Sequence, residues 1–195
     1  MKRFCLASFC CLCALTAIAQ LTLPEFNQDR LQRQQRAMTV LGTWAIGNIA
    51  VGAALQGRRE GEDRYFHRMN AYWNVVNLGL AGISLYTVSQ TDPGSFDLVS
   101  SVNEHHKIQK ILLFNAGLDV GYMLGGAYLV ERAHRASTEQ PERLRGFGKS
   151  ILLQGAFLFA FDVGAYLYLS GADEDLREIL RVGATGDGLG LSLTF

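Results

Sequence analysis

The chain has 195 residues, with 18 basic and 18 acidic side chains and a formal net charge of zero. Hydrophobic residues make up 49% and charged residues 18%, below the roughly 25% charge of ordinary soluble domains. This balance excludes a nucleic-acid footprint, which needs a basic excess on one face, and its apolar weight points toward a membrane.

Met1 to Ala19 reads as a secretory signal peptide: Lys2 and Arg3 form a basic start, Phe4 to Leu15 an apolar stretch, and Ala17-Ile18-Ala19 a cleavage site before Gln20. An uncleaved first anchor is the alternative. The four cysteines, Cys5, Cys10, Cys11 and Cys13, all fall in this segment, so the mature chain is expected to carry no disulfide or thiol chemistry. Leu12 stands before Cys13 where a lipoprotein signal needs a small residue.

Residues 20–36 are a polar juxtamembrane segment with Arg30, Arg33 and Arg36 spaced by three, expected to run into the first span as one helix. Four apolar runs follow, at 37–56, 69–88, 111–130 and 150–169. Each matches the roughly 20 residues that cross a hydrocarbon core of about 30 Å at 1.5 Å per residue. The fold class expected is all-α: a transmembrane domain at 37–170 in which four helices form an up-down bundle.

The connections set the expected orientation. The loops after the first and third runs hold Arg58, Arg59, Arg64, Arg68, Arg132, Arg135, Arg143, Arg145 and Lys149; the opposite side holds Arg30, Arg33, Arg36, Lys107, Lys110, Arg177 and Arg181. Nine against seven, over less chain, favours both Arg-rich loops in the cytoplasm. Both termini are then periplasmic, in the inner membrane.

Between the second and third runs, Asp92-Pro93-Gly94 is a turn, Ser95 an expected N-cap, and Phe96, Val99 and Val102 the stripe of an amphipathic lead-in. His105 and His106 are expected at the surface near a membrane end, since neighbours on a helix point about 100° apart and form no shared metal site. Residues 171–195 hold a short amphipathic helix from Ala172 to Val182, broken at Gly183, Gly186 and Gly188, then Leu189, Leu191, Leu193 and Phe195 in strict alternation. This β-like tail resembles the last strand of outer-membrane barrels, which keeps the outer membrane as a minor alternative, but the body lacks the series of alternating strands a barrel requires.

The chemistry lies inside the spans. Aligned by depth, Asn48, Asn77, Asp119 and Asp162 fall near the middle of each. Trp44 and Trp73 each precede an asparagine by four, and Asp-Val-Gly recurs at Asp119 and Asp162, a weak internal symmetry. Asn70, Asn74 and Asn77, then Asn115, Asp119 and Tyr122, then Gln154, Asp162 and Tyr166 fall at helical spacings that share a face. Lipid cannot hydrogen-bond these groups, so the stripes turn inward. Gly47, Gly52, Gly79, Gly82, Gly117, Gly121, Gly125, Gly126, Gly155 and Gly164 are expected to let helices approach closely.

The candidate binding cluster is Asp119, Asp162, Asn48, Asn77, Asn115, Asn74, Tyr122 and Gln154. No Lys or Arg lies in any span. The aspartates therefore carry protons, share one, or hold a cation with amide oxygens; the bland reading is interhelical glue. No span carries a histidine, and phosphate-loop, zinc-protease, serine-nucleophile and intramembrane aspartyl-protease motifs are absent. No catalytic residue, metal site or cofactor is expected.

Leu41 to Asn48, Phe114 to Tyr122 and Arg145 to Phe157 resemble an uncharacterised family of small four-helix membrane proteins from Bacteroidota. The resemblance implies a fold and an envelope location but no activity. Two functions follow as expectations: a structural or interaction component of the cell envelope, partnered by the bilayer and by a second copy or an envelope protein; or a small cation, proton or ligand site at Asp119 and Asp162.

Overall fold

The computed structural model describes residues 22–135 and 138–186. The expected signal peptide at 1–19 and the alternating stretch at 189–195 lie outside the described residues. The described chain is all-helical: α1 (Leu23–Leu55), α2 (Gly61–Gln90), a 3-10 turn (Pro93–Ser95), α3 (Leu98–Arg132), α4 (Pro141–Ser170) and α5 (Asp173–Gly186). Two helical stretches, Leu23–Leu55 and Pro141–Leu180, are long and apolar enough to cross a membrane.

Local chemistry starts these helices. Thr22 and Glu25 form a capping box on α1: the Thr22 hydroxyl accepts from the Glu25 N–H at 3.4 Å, and the Glu25 carboxylate accepts from the Thr22 N–H at 2.8 Å. Pro24 fits the first turn, where a missing N–H costs nothing. The polar stretch from Leu23 and the first apolar run as far as Leu55 are thus one helix of 33 residues. The cap of α3 differs from expectation. Ser95 is used in the 3-10 turn, which Asp92 closes by accepting from the Gly94 N–H at 2.9 Å. Asp97 caps instead, accepting from the Ser100 N–H at 2.7 Å. At the far end, α5 continues through Gly183 to Gly186, past the expected break.

Across the bundle the helices neighbour one another in the order α1, α2, α4, α3, while α1 touches α3 and α4 over shorter stretches. Glycine governs the closest approaches. A Cβ on Gly148 would stand 2.6 Å from the Gly126 carbonyl oxygen, and one on Gly126 would stand 2.8 Å from that of Gly148. Gly52 meets Ala71 across α1 and α2, and Gly155 meets Met123 across α4 and α3. Seven of the ten expected glycines do no such work: at Gly47, Gly79, Gly82, Gly117, Gly121, Gly125 and Gly164 a Cβ would meet nothing within 4 Å.

The polarity is the inverse of a soluble domain. Asn70, Asn74, Asn77, Asp119, Gln154 and Asp162 are buried, while Val40, Ile46, Val75, Leu80, Ile83, Phe114, Leu124 and Leu167 are exposed. Ordinary soluble cores bury the second kind and expose the first. A separate apolar core of Phe26, Ala172 and Leu176 holds the start of α1 against α5.

Candidate functional site

Three helices are joined by a closed circuit of hydrogen bonds. The Trp44 indole N–H on α1 donates to Gln154 Oε1 on α4 at 3.0 Å. The Gln154 amide donates to Asn70 Oδ1 on α2. Asn70 Nδ2 donates to Asn48 Oδ1 on α1 at 2.8 Å, and Asn48 Nδ2 donates to the Trp44 carbonyl at 2.8 Å. The Trp44 ring also lies flat on Phe157, centroids 3.8 Å apart. Asn74 returns to the Asn70 carbonyl at 2.8 Å, and Asn77 donates to Asn74 Oδ1 at 3.4 Å. A circuit in which each amide both donates and accepts satisfies groups that are costly to leave bare in a low-dielectric interior.

The structure thereby divides the sequence-predicted cluster. Asn48 bonds Asn70, not its depth partner Asn77. Asn48, Asn74, Asn77 and Gln154 belong to the amide circuit and its α2 extension. Asp119 on α3 and Asp162 on α4 are both buried. Asp119 Oδ2 is buried and has no hydrogen-bond partner among the described residues. Gly155 admits α4 to the backbone here: its Cβ position is 3.1 Å from the Asp119 carbonyl oxygen. Tyr122 turns its ring edge-on to Trp73 at 4.9 Å, and Asn115 is half-buried.

A second buried polar cluster escaped the sequence reading and corrects it. His105, expected at the surface, is 0% exposed. Its Nε2 lies 2.6 Å from Asp173 Oδ1 at the start of α5, and Gln109 Nε2 donates to the same oxygen at 2.7 Å. Phe26 packs against the imidazole, centroids 5.5 Å apart. One turn away, Asn27 Nδ2 donates to Ser101 Oγ at 2.9 Å. Arg30, 2% exposed, bonds Asn27 Oδ1 at 3.4 Å and lies 4.9 Å from the Phe96 ring centroid. Burial pushes its guanidinium pKa down against the attraction of Glu104, and it stays charged at any biological pH. A signal for this cluster existed: Ser101, His105 and Gln109 recur every four residues on α3, one helical face.

No group of three or more His, Cys, Asp or Glu side chains disposed to hold a metal occurs among the described residues. At the opposite end of the bundle, Glu62 on α2 pairs with Lys149 and, at 3.6 Å, with Arg145 on α4, so part of the basic charge there is tied into the packing.

The fold and these contacts define an all-helical bundle with polar groups inside and bulky apolar groups outside. Residues 40–163 match the model of a family of unknown function (DUF6992), and the chain belongs to that family. No curated protein and no solved structure matches it.

Proposed function

We propose that this chain is a four-span protein of the bacterial inner membrane, with both termini periplasmic, serving as a structural or interaction component of the cell envelope. The Bacteroidota origin implied by the resemblance belongs to the same proposal. The observation that carries it is the inverted polarity. The most apolar windows of Leu23–Leu55 and Pro141–Leu180 are only 22% and 28% buried within the chain, whereas the core helix of a soluble protein is mostly covered. The runs at 69–88 and 111–130 present the same kind of exterior through Val75, Leu80, Ile83, Phe114 and Leu124. Four spans give that surface a hydrocarbon solvent. The amide circuit fits a structural part, because each of its three amides is bonded into the helix packing.

Membrane fractionation with alkaline carbonate extraction tests the placement. The protein should remain in the inner-membrane pellet; release into the supernatant, or recovery with the outer membrane, rejects it.

One observation favours a second reading. Asp119 and Asp162 are more than glue requires, and Asp119 Oδ2 is bare. On this reading the pair holds a proton or cation that the protein moves or senses. Asp119→Asn and Asp162→Asn keep the size and a hydrogen bond while removing ionisation. In vesicles loaded with a pH-sensitive dye, proton flux that the wild type carries and both variants lose supports the reading. Equal behaviour of all three leaves the pair structural.

A further inference from the structure

At the periplasmic end of the bundle a groove of about 360 Å³ runs between α1 and α4. Its walls are Ala37 and Val40 on one side and Phe161 and Ala165 on the other. Its floor is open at Gly164, where a Cβ would meet nothing within 4 Å. Arg36 and Tyr168 stand at its outer end. Arg36 Nη1 donates to the Tyr168 hydroxyl at 3.1 Å. Tyr168 is itself fixed by Arg33, which donates to its carbonyl oxygen at 2.9 Å and lies 5.1 Å from the ring centroid. Arg33 pairs with Asp29, but among the described residues no carboxylate is within ion-pair distance of Arg36.

We propose that this groove holds one acyl chain of an anionic phospholipid, with the lipid phosphate against Arg36. The inference rests on the membrane reading, which puts Arg36 at headgroup level, one residue before the first span. Charge and shape select the occupant. An exposed guanidinium without a carboxylate sits directly above an apolar slot, the order of charge and hydrocarbon that an anionic lipid presents. Basic side chains at such positions attract anionic headgroups, and guanidinium matches phosphate in a bidentate geometry. From Tyr168 to Ala160 the slot is about 12 Å long at 1.5 Å per residue. Tyr168 contributes a hydroxyl at the headgroup and a ring at the interface, as aromatic residues do there.

The test uses the full chain purified in a neutral detergent. Phosphatidylglycerol or phosphatidylcholine is titrated in, and bound lipid is counted by native mass spectrometry. Wild type should hold phosphatidylglycerol in preference to phosphatidylcholine. Arg36→Gln should weaken phosphatidylglycerol about fivefold, the worth of one interfacial charge, and level the two lipids. Gly164→Leu should fill the groove and lose both. That variant has room for its side chain and a better helix former in place of glycine, and circular dichroism checks its helicity. Equal retention of both lipids by wild type, or unchanged phosphatidylglycerol in Arg36→Gln and Gly164→Leu, overturns the proposal. So does a dimer that Gly164→Leu abolishes without altering lipid retention. A chain that stays soluble once detergent is removed rejects the membrane reading itself; a membrane-bound chain without lipid selectivity rejects the groove alone.

Discussion

Gln154 has its backbone in α4, accepts from α1 and donates to α2, so its removal unpairs two helices at once. Gln154→Ala should destabilise the bundle by about 1–3 kcal/mol, combining two interhelical bonds, the bare groups they leave and a small cavity. Unfolding in mixed micelles measures it, and a loss under about 0.5 kcal/mol would show that the circuit closes without Gln154. The polar stripes were legible as residues at i, i+4 and i+7; their partners were not. Depth alignment paired Asn48 with Asn77, but the bond goes to Asn70, seven residues or about 10 Å away along α2, because the register between antiparallel helices is set by packing rather than by the middle of each apolar run. His105 shows the same gap. Its stripe with Ser101 and Gln109 is local, whereas the Asp173 carboxylate that fixes it arrives from α5, 68 positions later. His105→Leu should release α5, seen as faster amide hydrogen exchange at Asp173 to Leu180 while the centres of α1 to α4 stay protected; unchanged exchange there would mean that Phe26, Ala172 and Leu176 hold α5 unaided.

Between elements, the meaningful distinction is among glycines that look alike in sequence. Gly148 and Gly121 both lie in apolar helices, but a Cβ at Gly148 runs into the Gly126 carbonyl, 2.6 Å away, and one at Gly121 meets nothing within 4 Å. Overpacking of this kind costs about 1–3 kcal/mol. Gly148→Val should therefore destabilise by about that much or more, and Gly121→Val by less than about 0.5 kcal/mol, in the same unfolding measurement; equal losses would place the α3–α4 contact elsewhere. Helix starts carry a pH dependence. The Ser100 backbone N–H holds the Asp97 carboxyl below the usual carboxylate range, and the Thr22 backbone N–H does the same for Glu25. A depressed carboxylate contributes its stability above its unfolded pKa, about 4, and loses it as pH falls further. Hydrogen exchange at the starts of α1 and α3 should accelerate below about pH 4 relative to helix centres. Asp97→Asn keeps a capping oxygen without ionising and should remove the dependence at α3 only. The caps show how far local sequence reaches: Ser95 and Asp97 are both good capping residues, and the choice between them is made by the 3-10 turn that uses Ser95.

For the molecule as a whole, hydropathy carried most of the architecture. Apart from Gln56, which caps α1, the four apolar runs fall within α1 to α4, and the polar stretches from Leu23 and from Leu98 continue into them as unbroken helix. The neighbour order α1, α2, α4, α3 was not legible, because apolar length says where a helix is and not which helix it faces. The proposed orientation rests on charge: Arg58, Arg59, Arg64 and Arg68 with Arg132, Arg135, Arg143, Arg145 and Lys149 on one side, seven basic residues on the other. Pairing of Glu62 with Arg145 and Lys149 does not cancel this bias, since acidic residues contribute little to the rule. The assembly of Phe26, His105, Asp173 and Leu176, periplasmic on the proposed orientation, is consistent with it. Three segments meet there, the starts of α1 and α3 and the helix α5, so all three must lie on one side of the proposed membrane. Single cysteines read the result directly. Ser95→Cys, in the connection between α2 and α3, should react with a membrane-impermeant maleimide in spheroplasts. Glu139→Cys, before α4, should react only after lysis. The opposite pattern would invert the protein in its membrane and move the Arg36 groove to the cytoplasmic leaflet.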